Sequence, residues 1–326
     1  MINQHAQLAK DLFAKDIEKK ATRDGFGTGT VEAGKRDENV VVLCADLKES
    51  TRAEWFEKEF PDRFIEVGVA EQNLATVAAG MAAIGKRPFI ASYAAFSPGR
   101  NYEQIRTTIA LNGQPVVVCG MHAGVSVGPD GATHQMLEDI GLMRMLPGMH
   151  VVVPGDAEEA RKAVLAAAAA DHPTYLRFGR AATPVFTTPE TSFAFGKALP
   201  VWESDAPKVA ILSTGALTYE ALVAARALAA EGVEASVLHV PSVKPLDEEA
   251  VLKAAQKAGR VLTVEEHQVA GGFGSAVAEF LSSTYPVPVK RLGMQDAFGQ
   301  SGEPDELIKH YGLSAAGITS AVRALL

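Results

Sequence analysis

The sequence predicts an α/β protein: a doubly wound, mostly parallel sheet followed by a second, smaller α/β domain. Three observations carry this. Short runs that are apolar throughout recur along the chain, as expected of strands buried on both faces. Helical patterns fall between those runs, as the crossovers of a parallel sheet require. The alternation breaks once, over the Pro- and Thr-rich stretch from Thr183 to Ser204, and then restarts.

Taken in order, the first twenty residues, MINQHAQLAKDLFAKDIEKK, interleave charged and apolar side chains at helical spacing. They lack the apolar core of a signal peptide, so a surface helix is expected over residues 1–19. From residue 20 to 187, strands are expected at Asn39–Asp46, Phe64–Val69, Arg87–Tyr93, Pro115–Met121, His150–Pro154 and Thr174–Phe178. Helices are expected at Arg23–Lys35, Glu71–Ile84, Tyr102–Asn112, Gln135–Met145 and Ala157–Ala170. A linker is placed at 188–205. The second domain, 206–326, reads as strands Lys208–Ser213, Ala235–Val240, Arg260–Val264 and Val287–Leu292, with helices at Thr218–Glu231, Glu248–Ala258, Gly274–Ser283 and near the C-terminus. No internal repeat is visible.

Bulk properties exclude several classes. A chain of 326 residues, 47% hydrophobic, is long enough for two domains with real cores. A net charge of −8 argues against a nucleic-acid surface. The two cysteines, Cys44 and Cys119, sit in apolar strand-like runs and read as buried thiols of a reducing compartment. No apolar run is long enough to cross a bilayer, so a cytoplasmic protein without membrane partners is expected.

Two glycine-rich segments are decoys. Gly29-Thr-Val-Glu-Ala-Gly34-Lys35-Arg36 nearly fits a phosphate loop, but Arg36 replaces the hydroxyl that would hold magnesium, and the strand follows the motif. It reads as a helix ending at Gly34. Gly271-Gly-Phe-Gly274 lacks the strand and acid of a dinucleotide site and reads as a close-packed turn.

The chemistry concentrates in four places. Phe64-Ile-Glu-Val-Gly-Val-Ala-Glu71 ends a strand at a glycine and opens a helix on an acid, in the crevice where open α/β sheets hold ligands. An apolar setting there would raise the proton affinity of Glu71; the plain alternative is an acid complementing a first helical turn. Tyr93 and Phe96, three residues apart at a strand's carboxyl end, could form a wall for a flat heterocycle, or core. His122, Asp130 and His134 share one glycine-rich loop, suited to binding hydroxyls and moving protons rather than to holding a metal. Arg23, Arg177 and Arg180 offer forked donors for phosphate, with surface ion pairing the competing role, most of all for Arg177.

Taken together, Ala21-Thr-Arg23, Ala45-Asp46-Leu-Lys-Glu-Ser50, Val67-Gly-Val-Ala-Glu71-Gln, the Tyr93/Phe96 strand end and Gly128-Pro-Asp130-Gly-Ala-Thr-His134-Gln resemble the C-terminal half of transketolase. The match covers almost the whole chain: a pyrimidine-binding domain plus the transketolase C-terminal domain. The resemblance implies thiamine diphosphate as cofactor, with Glu71 on the aminopyrimidine N1′, Phe96 and Tyr93 stacked on its ring and Asp46 nearby. It further implies that His122 and His134 contact substrate oxygens and assist proton transfer, and that Asp130 reads the C2 hydroxyl of an aldose. Arg23, Ser50 and Arg180 would hold the phosphate of a sugar phosphate.

Transketolases also carry a Gly-Asp-Gly…Asn motif for magnesium and the diphosphate, and no Gly-Asp-Gly occurs here. The resemblance therefore implies one subunit of a split enzyme, inactive alone. An N-terminal partner chain would supply the Mg²⁺ ligands, in an α2β2 assembly. A third aromatic frequent in the family is absent at Gly99, and Arg100 follows it. Neighbouring families remain as alternatives. 1-Deoxyxylulose-5-phosphate synthases share the Asp-Gly-x-Thr-His-Gln signature but usually have arginine where Ala123 stands. The β subunits of 2-oxo acid dehydrogenases usually lack the Asp130…His134 pair. A non-catalytic scaffold subunit would be expected to have lost part of the set that is intact here.

Overall fold

The computed structural model describes residues 1–326, and the first domain is built as the apolar runs require. Seven strands form one sheet in the order Ser242–Lys244, His150–Val152, Thr174–Arg177, Val117–Met121, Arg87–Tyr93, Val40–Cys44, Phe64–Glu66. Every neighbouring pair is parallel except Ser242–Lys244 on His150–Val152. A second sheet runs Val289–Met294, Val261–Gln268, Val209–Ser213, Ala235–His239, Leu199–Trp202, with only the last strand antiparallel.

The stretch read as a linker is therefore partly sheet: Leu199–Trp202 forms the edge of the second one. The strand Ser242–Lys244, although distant in sequence from the first domain, completes that domain's sheet. One hydrophobic cluster follows from this crossing. It runs without a break from Leu43, Ile90 and Val118 in the first sheet to Leu212, Val240, Val251 and Phe273 in the second unit. The opposite face of the first sheet is covered by the helices Thr22–Arg36 and Ala157–Ala168, whose Phe26, Ala160 and Val164 pack on Val42, Cys119 and Leu176.

The N-terminal expectation was wrong. Residues 1–19 form no surface helix; they hold one short 3₁₀ turn, Gln4–Ala6, and otherwise follow the surface of the second sheet. Tertiary contacts override the local pattern. Leu12 is buried, its carbonyl accepts from Tyr219 Oη at 3.0 Å, and the Asn3 N–H donates to Val201 O at 3.1 Å. Lys19–Ala21 then pairs with Ala182–Pro184 in a two-stranded ribbon that the sequence did not announce.

Three further boundaries moved. The segment 102–112 is one α turn, Tyr102–Gln104, followed by a π-helical stretch, Ile105–Ala110. The helix expected from Gln135 starts only at Asp139, because Met136 is bridged to Ala123 and its carbonyl accepts from Gly124 N. The Gly29…Lys35 decoy lies inside the helix Thr22–Arg36, which runs past Gly34. The glycines serve packing: a Cβ at Gly25 would sit 2.1 Å from the Ala157 carbonyl oxygen, so only glycine lets these two helices approach so closely. Both cysteines are free and buried. No helix is long and apolar enough to cross a membrane.

Candidate active site

The predicted residues gather beyond the carboxyl ends of the first sheet's strands, the expected place in an open α/β fold. Three strands each release a site residue within two positions of their end. Val40–Cys44 leads to Asp46, Arg87–Tyr93 ends on Tyr93, and Val117–Met121 is followed at once by His122. Thr174–Arg177 leads to Arg180. Asp46 and His122 both adopt left-handed backbone, φ 58° and 55°. Few non-glycine residues do so, and such strain collects at binding sites.

His122 is the centre of the cluster. It is 1% exposed, and its ring stacks on Tyr93 with centroids 3.9 Å apart. Tyr93 in turn stacks on Phe96 at 5.8 Å, and His134 meets Phe96 edge-on at 5.5 Å. The wall expected of two aromatics thus contains four rings. Arg23 Nη1 lies 3.3 Å from His122 Nε2 and also donates to the Ser50 carbonyl at 2.7 Å. A guanidinium can only donate, so Nε2 accepts and the proton sits on Nδ1, which is buried and has no partner in the protein. Burial first, and then the Arg23, Arg180 and Arg52 cations, pull the His122 pKa down to about 3. It is a neutral imidazole at physiological pH. Burial and the neighbouring Arg52 likewise lower the Arg23 guanidinium.

Glu71 is the first residue of the helix Glu71–Ala83 and is 4% exposed. Its surroundings differ from the apolar setting expected. Arg100 Nη1 donates to both carboxylate oxygens, at 3.2 and 3.3 Å, while its guanidinium carbon lies 4.1 Å from the centre of the Phe96 ring. Asn101, which sequence reasoning passed over, ties this region together: its Nδ2 donates to the Glu71 carbonyl at 2.9 Å and to Ser97 Oγ at 3.1 Å. Only its proximity to the Ser-Pro-Gly turn could have drawn attention to it.

The phosphate-type ligands are partly assembled. Arg180 donates to the Val127 carbonyl at 2.8 Å and stands 3.6 Å from Asp130 Oδ1, so it braces the glycine-rich loop while remaining half exposed. Ser50 joins through its carbonyl and not through its hydroxyl. Asp46 makes no hydrogen bond or ion pair with the other predicted residues; its backbone N–H donates to Glu66 Oε1 at 2.8 Å. Arg177 belongs elsewhere. It is 6% exposed, and its Nε donates to Asp139 Oδ2 at 2.7 Å inside the molecule.

The donor set fits the pyrimidine end of the implied cofactor: a buried carboxylate at a helix start beside a flat aromatic wall, with an unpartnered imidazole nitrogen next to it. No group of three or more His, Cys, Asp or Glu side chains is placed to hold a metal ion.

Residues 18–185 match the transketolase pyrimidine-binding domain, and residues 196–318 match the transketolase C-terminal domain. The chain belongs to the transketolase family. It is 40% identical over 306 residues to a putative transketolase C-terminal section of Methanocaldococcus jannaschii, covering 93% of this chain and 95% of that one. It is also 40% identical to the 6-deoxy-6-sulfo-D-fructose transketolase subunit of Clostridium sp. strain MSTE9, with 95% of each covered. Among solved structures, a split-gene transketolase described as an inactive β4 tetramer superposes with a TM-score of 0.87 at 43% identity, over 94% of this chain and 98% of that one.

Proposed function

We propose that the chain is the C-terminal subunit of a split transketolase that transfers a two-carbon ketol unit from a ketose phosphate to an aldose phosphate. The observation that carries this reading is the buried Glu71 carboxylate beside the stacked His122–Tyr93–Phe96 wall, at the rim of the Arg23/Arg180 cation cluster. Relatives named as a C-terminal section and as a subunit support a partner chain; two copies of each chain would make an α2β2 assembly. Magnesium and the diphosphate would be held by that partner.

Thiamine diphosphate, when bound, supplies an electron sink for the carbanion formed on cleaving the ketose. The protein's own groups do the rest. Glu71 would hold the proton at the pyrimidine N1′, and Phe96 and Tyr93 would fix the plane of the ring. For that ring to reach Glu71, Arg100 must share the carboxylate or move aside. Neutral His122, with its proton on Nδ1, would donate to a substrate oxygen, while half-exposed His134, whose Nδ1 pairs with Thr133 Oγ1 at 2.8 Å, would assist its proton transfers. Asp130 would read a hydroxyl on the acceptor, and Arg23 and Arg180 would meet its phosphate.

The test is ketol transfer from xylulose 5-phosphate to ribose 5-phosphate with thiamine diphosphate and magnesium, by this chain alone and after co-expression with its partner. Activity is expected only in the mixture. Glu71→Gln keeps the shape but cannot exchange the proton, so kcat should fall by about 10²–10⁴ while the fold survives. A mutant complex turning over at the wild-type rate would remove Glu71 from the mechanism. One relative named for 6-deoxy-6-sulfo-D-fructose makes that sugar the next donor to try if the phosphate pair fails.

A further inference from the structure

The loop that carries His122, Asp130 and His134 is held from outside its own domain. Gly124 has φ 92°, and a Cβ there would lie 2.4 Å from Glu266 Oε1, so the backbone presses directly on a carboxylate of the second domain. That same oxygen accepts the Ser126 N–H at 2.6 Å. The Glu266 carbonyl accepts from Arg177 Nη2 at 2.9 Å, and the same guanidinium nitrogen reaches the Met136 carbonyl at 3.3 Å, on the far side of the loop. Gln135, also buried, donates across the loop to Val125 O at 3.1 Å and to Gln300 O of the second domain at 2.9 Å.

Three residues lie between Ser126 and Asp130, and this glycine-containing segment has little structure of its own beyond the short 3₁₀ turn Val125–Val127. Its shape is set by what it leans on. The Glu266 carboxylate accepts the Ser126 N–H inside that turn. A charged acceptor makes a stronger bond than a neutral one, and removing it leaves the Ser126 N–H without the partner it has here. Burial raises the Glu266 carboxyl above its ordinary value, with Arg177 and the Ser126 N–H opposing that rise.

We propose that Glu266 is a positioning residue: the C-terminal domain sets the substrate-reading loop through it, giving that domain a role in acceptor binding. The inference rests on the reading that this loop meets the acceptor sugar. Acting through Ser126 and Gly124, Glu266 lies behind the loop, so its loss should displace the Asp130 side of the loop without disturbing Glu71 or the aromatic wall.

The test uses the assembled complex with Glu266→Ala and Glu266→Gln. In Glu266→Ala, KM for ribose 5-phosphate should rise about tenfold, with kcat within about twofold of wild type and thiamine diphosphate affinity unchanged. Glu266→Gln keeps an acceptor for the Ser126 N–H and should recover most of the loss. Amide hydrogen exchange should quicken at 124–131 in the alanine variant and stay slow in the glutamine one, a readout independent of turnover. Unchanged KM with unchanged loop exchange overturns the proposal. So does a loss shared equally by acceptor KM, cofactor affinity and overall stability, which would mark Glu266 as packing only. A wild-type complex that binds cofactor but transfers no ketol unit removes the functional reading and this inference with it.

Discussion

Two polar clusters lie a few residues apart in this protein, and they are built on opposite plans. The site cluster of Arg23, His122, His134, Asp130 and Arg180 is rich in cations, partly open, and leaves His122 Nδ1 and Arg23 Nε buried without partners. The cluster between the domains is more nearly closed, although Asp139 Oδ1 is buried there without a hydrogen-bond partner, 4.0 Å from His267 Nε2. There Asp139 accepts from Arg177 Nε and Tyr175 Oη at 2.7 and 2.6 Å, and His267 Nε2 accepts the Gly141 N–H at 3.3 Å. Glu265 accepts the Phe273 and Gly274 N–H groups at 2.7 and 2.8 Å. Buried charge with its partners in place fixes how two units sit together. Buried donors left open mark where a ligand is expected. Arg177 and Arg180, three residues apart on one strand end, fall on either side of that division.

The largest effect should come from opening the closed cluster. Burial alone would push the Asp139 carboxyl up, but Arg177 and then His267 outweigh it and hold the carboxyl below its ordinary value. Asp139→Ala strands the Arg177 guanidinium inside the molecule and should cost about 3–5 kcal/mol of stability by chemical denaturation. A loss under about 1 kcal/mol would mean the interdomain charges are hydrated, and the contrast with the site would dissolve.

The next effect separates the clusters by the sign of their pH dependence. His122 is lowered from 6.5 to about 3, so between those values the unfolded chain holds a proton that the folded chain lacks. Stability is therefore lost as pH falls through that window, by up to roughly 5 kcal/mol. Glu265, buried beside the N-terminus of the helix Phe273–Thr284, is raised from 4.5 to about 7, chiefly by burial. Here the folded chain keeps a proton that the unfolded chain has released, so stability falls as pH rises from about 4.5 to 7, by roughly 3 kcal/mol. His122→Asn should flatten the acid side of the stability–pH curve, and Glu265→Gln the neutral side. If either variant changes the other's window, the clusters are one coupled network.

The same contrast explains what could be read in advance. Val40–Cys44 and Val117–Met121 announced themselves because strands buried on both faces must be apolar throughout, and Asp46, Tyr93 and His122 because they stand at or just past strand ends. Leu199–Trp202 and Ser242–Lys244 did not, since their partners lie far away in sequence and their short runs carry no period. Residues 1–19 carried a helical pattern that docking on the second sheet overrode. Asn101 and Glu266 were invisible for a related reason. Each acts on a backbone that only the fold brings near, and nothing local distinguishes an asparagine or glutamate that will do so.

The smallest effect on stability is the sharpest test of the division. Arg180 is 37% exposed, and its pairing with Asp130 at 3.6 Å is loose, so Arg180→Ala should cost at most about 1 kcal/mol of stability. Its cost should appear in binding instead. Removing one charge-assisted contact to a phosphate is worth about 1.5–3 kcal/mol, so KM for a phosphorylated aldose should rise at least about tenfold, while an unphosphorylated aldose should be hardly affected. A variant that loses stability yet keeps its preference for the phosphate would place Arg180 with Arg177, among the charges that hold the protein together.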